Sequence, residues 1–129
     1  MNDDILSYIK QLERRISILE KYPSGIVDTW HSLSYSNGWV EYGTGWPARY
    51  TKIGDVVYIK GLIKSGTYTD STVMFTLPIG YRPSSLHHIS CEGSGGDTWI
   101  MRINSNGEVQ CLSLTQNTWA SIAVSFTIR

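Results

Sequence analysis

The chain has 129 residues, enough for one domain with a real core and too few for a second domain of ordinary size. Eleven basic residues offset eleven acidic ones, four against four in residues 1-22 and seven against seven in residues 23-129, so neither part carries the positive field that nucleic acid or an anionic membrane surface selects. No apolar run approaches the ~20 residues of a membrane span, and Met1-Asn2-Asp3-Asp4 lacks the basic start of a secretory signal; synthesis in a cytoplasm, without membrane insertion, is expected.

Ile5, Ile9, Leu12, Ile16 and Leu19 recur at alternating steps of four and three, the seam of a coiled coil. A helix over residues 1-22, roughly 33 Å long at ~1.5 Å per residue, cannot bury such a stripe alone, so the chain is expected to be an oligomer. Ile9 and Ile16 fall at position a, with Ile5, Leu12 and Leu19 at d. That register sets Arg15 at g and Glu20 at e, where the guanidinium of one helix reaches the carboxylate of the next. Arg15-Ile16-Ser17-Ile18-Leu19-Glu20 is similar to the arginine, apolar, any, any, apolar, glutamate pattern of short trimeric coiled coils, and a parallel homotrimer is the expectation. The alternative is an amphipathic helix packed on its own domain.

Pro23 ends the heptads, residues 23-29 read as a linker, and residues 30-129 read as strands. Trp30 to Tyr35 and Trp39 to Tyr42 flank the turn dipeptide Asn37-Gly38. Arg49 to Ile53 leads through Gly54-Asp55 into a run from Val56 to Lys64, with Val57, Ile59 and Ile63 turned to the core. Val73 to Leu77, Leu86 to Cys91, Trp99 to Ile103 and Glu108 to Leu114 follow, the last two flanking Asn104-Ser105-Asn106-Gly107. Trp119 to Ile128 alternates strictly, Ile122, Val124, Phe126 and Ile128 inward and Ser121, Ala123, Ser125 and Thr127 outward, the small outward face suiting contact with a neighbour. Nine such runs predict an all-β sandwich or jelly roll behind a short coiled-coil helix. Cys91 and Cys111 have neither the number nor the spacing of a zinc site or disulfide framework and read as buried free thiols.

Trp30, Trp39, the run Tyr50 to Gly61, the segment Thr76-Leu77-Pro78-Ile79-Gly80-Tyr81-Arg82-Pro83-Ser84, the turn Asn106-Gly107-Glu108-Val109 and a closing strand after Trp119 occur in that order. The series resembles the C-terminal domains of phage and prophage tail-fibre, baseplate and head-fibre proteins. The resemblance implies a virion location, a trimeric β head on a stem, attachment to other virion proteins through the N-terminal helix, and contact with a host cell surface. The stem is short for such a protein, which leaves open a fragment, docking through the helix, or a small accessory fibre. Within the Leu-Pro-x-Gly-Tyr-Arg-Pro segment, a rigid turn is expected, with Tyr81 packed beneath it and Arg82 bound to a carboxylate or carbonyl.

No catalytic constellation stands out. Gly43-Thr44-Gly45-Trp46-Pro47-Ala48 has dinucleotide-like glycine spacing, but Trp46-Pro47 stands where a helix must open, and Ser94 lacks the glycine two residues before it that a nucleophile elbow needs. His87 and His88 are adjacent on a strand and point to opposite faces, so one chain cannot chelate an ion with both. No metal, cofactor or enzymatic activity is expected. Five tryptophans and eight tyrosines, by contrast, exceed what the core needs. Aromatic faces stack on sugar C–H faces while carboxylates and hydroxyls bind sugar hydroxyls, so residues beside turns are candidate saccharide ligands: Trp46, Asp97 and Trp99 first, then Trp39 and Tyr42, with Tyr68 and Asp70 as a further pair. A non-enzymatic fibre head binding host cell-surface saccharide is the leading reading. A structural head-fibre, decoration or baseplate protein is the second, and a polysaccharide depolymerase, which needs two carboxylates placed across a cleft, the third.

Overall fold

The computed structural model describes residues 7–10 and 28–129. Residues 7–10 are helical and exposed, Ile9 of the seam among them. The other seam residues, Ile5, Leu12, Ile16 and Leu19, the Arg15 and Glu20 positions, and linker residues 23–27 lie outside the described residues.

The rest is all-β, built from twelve antiparallel strands: β1 (His31–Ser32), β2 (Ser34–Tyr35), β3 (Val40–Glu41), β4 (Arg49–Ile53), β5 (Val56–Lys60), β6 (Leu62–Lys64), β7 (Thr72–Thr76), β8 (His87–Glu92), β9 (Thr98–Ile103), β10 (Glu108–Leu112), β11 (Ala120–Ser121) and β12 (Val124–Thr127). They form a four-stranded sheet β1-β4-β5-β12, a five-stranded sheet β2-β7-β10-β9-β8 and a three-stranded sheet β11-β6-β3. A bridge between Gly93 and Ala120 ties the β8 edge to β11.

Nine runs become twelve strands because three of them break, and each break is where the chain changes sheet. Leu33 separates β1 from β2, Gly61 separates β5 from β6, and Ile122-Ala123 separates β11 from β12. Gly61 has φ +111, and a Cβ there would lie 2.5 Å from the Ala48 Cα and the Pro47 carbonyl, so only glycine lets the chain bend this close to its neighbour. The Ile122 N–H donates to the Gly61 carbonyl at 3.0 Å, so the two breaks face each other and form one corner.

All three sheets contribute to one hydrophobic core. Val57, Ile59 and Ile63 point into it as alternation predicts, with Phe75, Met101, Ile103, Val109 and Ile122. Each such side chain contributes about 1.5–3 kcal/mol on burial. Cys91 and Cys111 are free and buried; burial pushes the Cys91 thiol up to about 12 and raises that of Cys111. His87 and His88 do face opposite ways. His87 lies beside Phe126, ring centroids 6.0 Å apart, whereas exposed His88 accepts from Arg102 Nε at 3.1 Å.

The Leu77 to Pro83 segment is the turn expected of it. Arg82 Nε donates to the Leu77 carbonyl at 2.8 Å, Tyr81 N–H to the Pro78 carbonyl at 3.1 Å, and Leu77 N–H to the Gly107 carbonyl at 2.8 Å. Tyr81 packs edge-on against Tyr50, centroids 5.0 Å apart, and its hydroxyl donates to Asp28 Oδ2, which also meets His31 Nε2 at 2.8 Å. Lys52 closes the group, its ammonium bonded to the Gly80 carbonyl at 2.8 Å and lying over the Tyr81 ring. Asp28 N–H bonds to the Lys52 carbonyl, so the head is joined by residue 28 at the Lys52 end of β4.

Candidate functional site

At the other end of β4, about 10 Å away over the three steps from Lys52 to Arg49, the chain leaves the sheet in the Gly43-Thr44-Gly45-Trp46-Pro47 loop. Glu41 fixes the base of this loop. Its Oε1 accepts from Ala48 N–H at 2.8 Å and from Arg49 Nη1 at 2.6 Å, and those two donors, in that order, hold its carboxyl below the usual range. Trp46 N–H turns back to the Gly43 carbonyl at 3.0 Å, and a Cβ on Gly43 or Gly45 would meet nothing within 4 Å. The loop is thus pinned below and open above, which leaves the Trp46 side chain 55 % exposed.

Trp46 stands over a hollow of about 340 Å³ whose other walls are Tyr42, Leu62, Glu92, Trp119 and Ser121. Leu62 and Ser121 are paired partners on β6 and β11, so its floor is sheet. A second hollow of about 210 Å³ adjoins it, sharing Glu92 and Trp119 and adding Gly93, Gly96, Asp97 and Thr98. Trp119 lines both hollows. Gln116 holds its backbone: Oε1 accepts from Thr118 N–H at 2.6 Å and Trp119 N–H at 3.3 Å, and Nε2 donates to the Trp119 carbonyl at 3.2 Å. That carbonyl also accepts from Ser94 N–H at 3.1 Å. A Cβ on Gly93 would come within 2.7 Å of the Gln116 amide nitrogen, so any larger residue there would have to displace the Gln116 side chain that holds Trp119. Asp97 ends the short 3₁₀ turn Ser94–Gly96, and its Oδ2 accepts from Thr115 N–H at 3.2 Å.

The five candidate saccharide ligands therefore divide. Tyr42 and Trp46 share the first hollow and Asp97 lies in the second. Trp39 and Trp99 do neither: they are 1 % and 0 % exposed, with their indole N–H groups donating to the Thr67 carbonyl at 2.9 Å and the Glu92 carbonyl at 3.0 Å. A ring buried on both faces has none to offer a ligand, and both tryptophans are core residues. Tyr68 and Asp70 line a separate, more polar hollow of about 530 Å³, where Asp70 Oδ1 accepts from Ser113 N–H at 2.7 Å.

Trp119 and Glu92 are the residues that sequence reasoning missed. The parity that puts Ser121, Ala123, Ser125 and Thr127 outward puts Trp119 on the same face, and that was the available signal. Glu92 carried no local signal, because its place depends on the Gly93–Ala120 bridge between two sheets.

The site can hold an aromatic-stacking ligand with hydroxyl groups. Three aromatic side chains supply flat apolar faces, Ser121 and Thr98 supply hydroxyls, and Glu92 and Asp97 supply acceptors.

No protein-family model and no curated protein sequence matches the chain. Among solved structures it is similar to the crystal structure of the receptor binding protein of Listeria phage PSA, with a TM-score of 0.72 and 17 % identity. The match covers 98 % of this chain and 78 % of that one. The fold is thus one found in a phage receptor binding protein, in keeping with the likeness to phage fibre heads carried by the sequence.

Proposed function

We propose that the protein is a phage virion component acting in host adsorption, whose β head binds cell-surface saccharide, without cleaving it, at the cleft around Trp46 and Trp119. The observation that carries this reading is an exposed tryptophan on a pinned loop, facing a second tryptophan and a tyrosine across a hollow floored by sheet. A ring held open to solvent by a rigid base gains nothing for the core and is available for stacking. The fold shared with a phage receptor binding protein supports the adsorption role. The cleft lies at the end of β4 opposite Asp28, where a head carried on an N-terminal stem meets its target.

Three heads on a parallel stem give avidity: linked sites convert weak single contacts into attachment stronger by about 10²–10⁴-fold. The N-terminal helix then serves both trimerisation and docking to other virion proteins. Binding of fluorescent protein to host cells tests the adsorption role. Wild-type protein should label cells, and Trp46→Ala should reduce labelling by at least about tenfold with the fold intact by circular dichroism. Wild-type protein that ignores every host strain would favour the structural fibre or decoration role. Release of reducing sugar from the envelope would show a depolymerase instead. Sedimentation at micromolar concentration tests the trimer, which a monomeric mass would exclude.

A further inference from the structure

The two hollows around Trp119 differ from a general sugar site in charge and in number. Among the described residues, their combined lining holds two carboxylates, Glu92 and Asp97, and no basic side chain. Among the described residues, Lys64 lies over the Tyr42 ring, its ammonium 5.5 Å from the centroid, and Arg49 is paired with Glu41. The first hollow, about 340 Å³, lies just inside the ~300–1,000 Å³ usual for a small-molecule site and the second, about 210 Å³, lies below it, and they share a wall rather than lying apart.

On the saccharide reading above, we propose that the ligand is a glycan of at least two units that straddles Trp119 and carries no phosphate or carboxylate. One unit sits between Trp46, Tyr42 and Trp119, and the next sits beside Asp97 and Thr98. The carboxylate of Glu92, on the wall common to both hollows, accepts from ligand hydroxyl or amino groups. A carboxylate accepts hydrogen bonds and donates none, so an anionic substituent in either hollow meets like charge with only neutral hydroxyl and indole donors beside it and, among the described residues of the lining, no cation to offset it. Such juxtaposition discriminates against the wrong partner. Neutral and amino-bearing sugars suffer no such penalty, and amino groups gain a charge-assisted bond.

The test uses the full-length protein and polysaccharide from cells that it labels, cut to short oligomers and separated by anion exchange into neutral or cationic and anionic fractions. Titration calorimetry should show the non-anionic oligomers binding at least about tenfold more tightly than anionic ones of equal length, and dimers at least about tenfold more tightly than monomers. Glu92→Gln combined with Asp97→Asn should bring the two fractions close to parity. Asp97→Asn keeps an oxygen for Thr115 N–H, and the Glu92 group that binds Trp99 is its backbone carbonyl, so the fold does not depend on either charge. Trp119→Ala should erase the preference for dimers over monomers. Equal or tighter binding of anionic oligomers to the wild type would overturn this inference and leave the saccharide reading standing. Monomers that bind as tightly as dimers would overturn the two-unit geometry. If no fraction binds while the protein still labels cells, the saccharide reading falls, and this inference with it.

Discussion

The two ends of β4 use the same materials to opposite effect. At the Lys52 end, Tyr81, Tyr50 and His31 pack ring against ring, and Tyr81, His31, Asp28 and Lys52 bond to one another or to backbone. At the Arg49 end, Trp46, Tyr42 and Trp119 face a hollow, and the hydrogen bonds there secure the backbone beneath them. Satisfied aromatic clusters hold a fold together, whereas aromatic clusters with open faces on a fixed frame are free to hold something else. The tryptophans divide in the same way: Trp39 and Trp99 belong to the first kind, Trp46 to the second.

Core tryptophan removal should give the largest effect of this comparison. Trp39→Ala deletes a ring that is 1 % exposed and strands the Thr67 carbonyl that its N–H now serves, which should cost about 3–5 kcal/mol in urea unfolding. A loss below about 1 kcal/mol would mean that the ring contributes little to the core. Gly66→Ala approaches the same ring from outside. Its Cβ would fall 2.2 Å from the indole, and the buried ring has nowhere to retreat, so overpacking should cost about 1–3 kcal/mol.

The clamp at the Lys52 end should respond less, and with pH. Tyr81→Phe removes the hydroxyl from Asp28 and should cost about 1 kcal/mol at neutral pH, given the partial exposure of the site. The Tyr81 hydroxyl is the main cause that holds the Asp28 carboxyl below its usual range; burial opposes it, and His31 and Thr29 N–H add to it. A carboxyl that is more acidic folded than unfolded contributes its stability fully above the unfolded value, near 3.9, and loses it as pH falls through the folded one. Asp28→Asn should therefore lower the urea midpoint at pH 6 by more than it does near pH 3. A constant difference across that range would remove Asp28 from the account. Tyr81 moves the other way: burial first, then the Asp28 carboxylate, push its hydroxyl up to about 12, so it stays a donor throughout this range.

Much of this architecture is legible along the chain. Alternation placed Val57, Ile59, Ile63, Ile122 and Phe126 in the core, and Pro78, Gly80 and Pro83 marked the turn that carries Tyr81 and Arg82. The breaks at Leu33 and Ile122-Ala123 were not legible, because those residues continue their runs in hydrophobic pattern and differ only in which sheet the chain joins next. Gly61, a glycine inside a strand run, was by contrast a signal of the bend that the reading of one run from Val56 to Lys64 passed over. The candidate site was half legible for a related reason. Glycine beside Trp46 advertised a loop, but the Gly-rich loop before Trp99 gave a false cue. Trp99 directly follows Thr98, the first residue of β9, and strand parity turns it inward. Trp119 was hidden by the regularity of the strand it precedes, and Glu92 by its dependence on a bridge between distant segments.

The smallest expected effect on stability is the one that separates the two ends most sharply. Trp46→Ala removes the most exposed tryptophan ring in the described head, at 55 %, from a loop whose conformation rests on Glu41, Ala48 and Arg49 and not on the indole. Its unfolding free energy from urea titration should stay within about 0.5 kcal/mol of wild type, as for surface substitutions generally. Glu41→Gln is the informative partner. It weakens the bonds to Ala48 and Arg49 that fix the loop base, so it should reduce cell labelling while leaving the Trp46 side chain in place, in proportion to how far the loop loosens. A Trp46→Ala protein that unfolds as readily as Trp39→Ala would place Trp46 with the core tryptophans and dissolve the distinction between the two ends. Stability that is unchanged while adhesion is lost would mean that the exposed ring is kept for a partner and not for the fold.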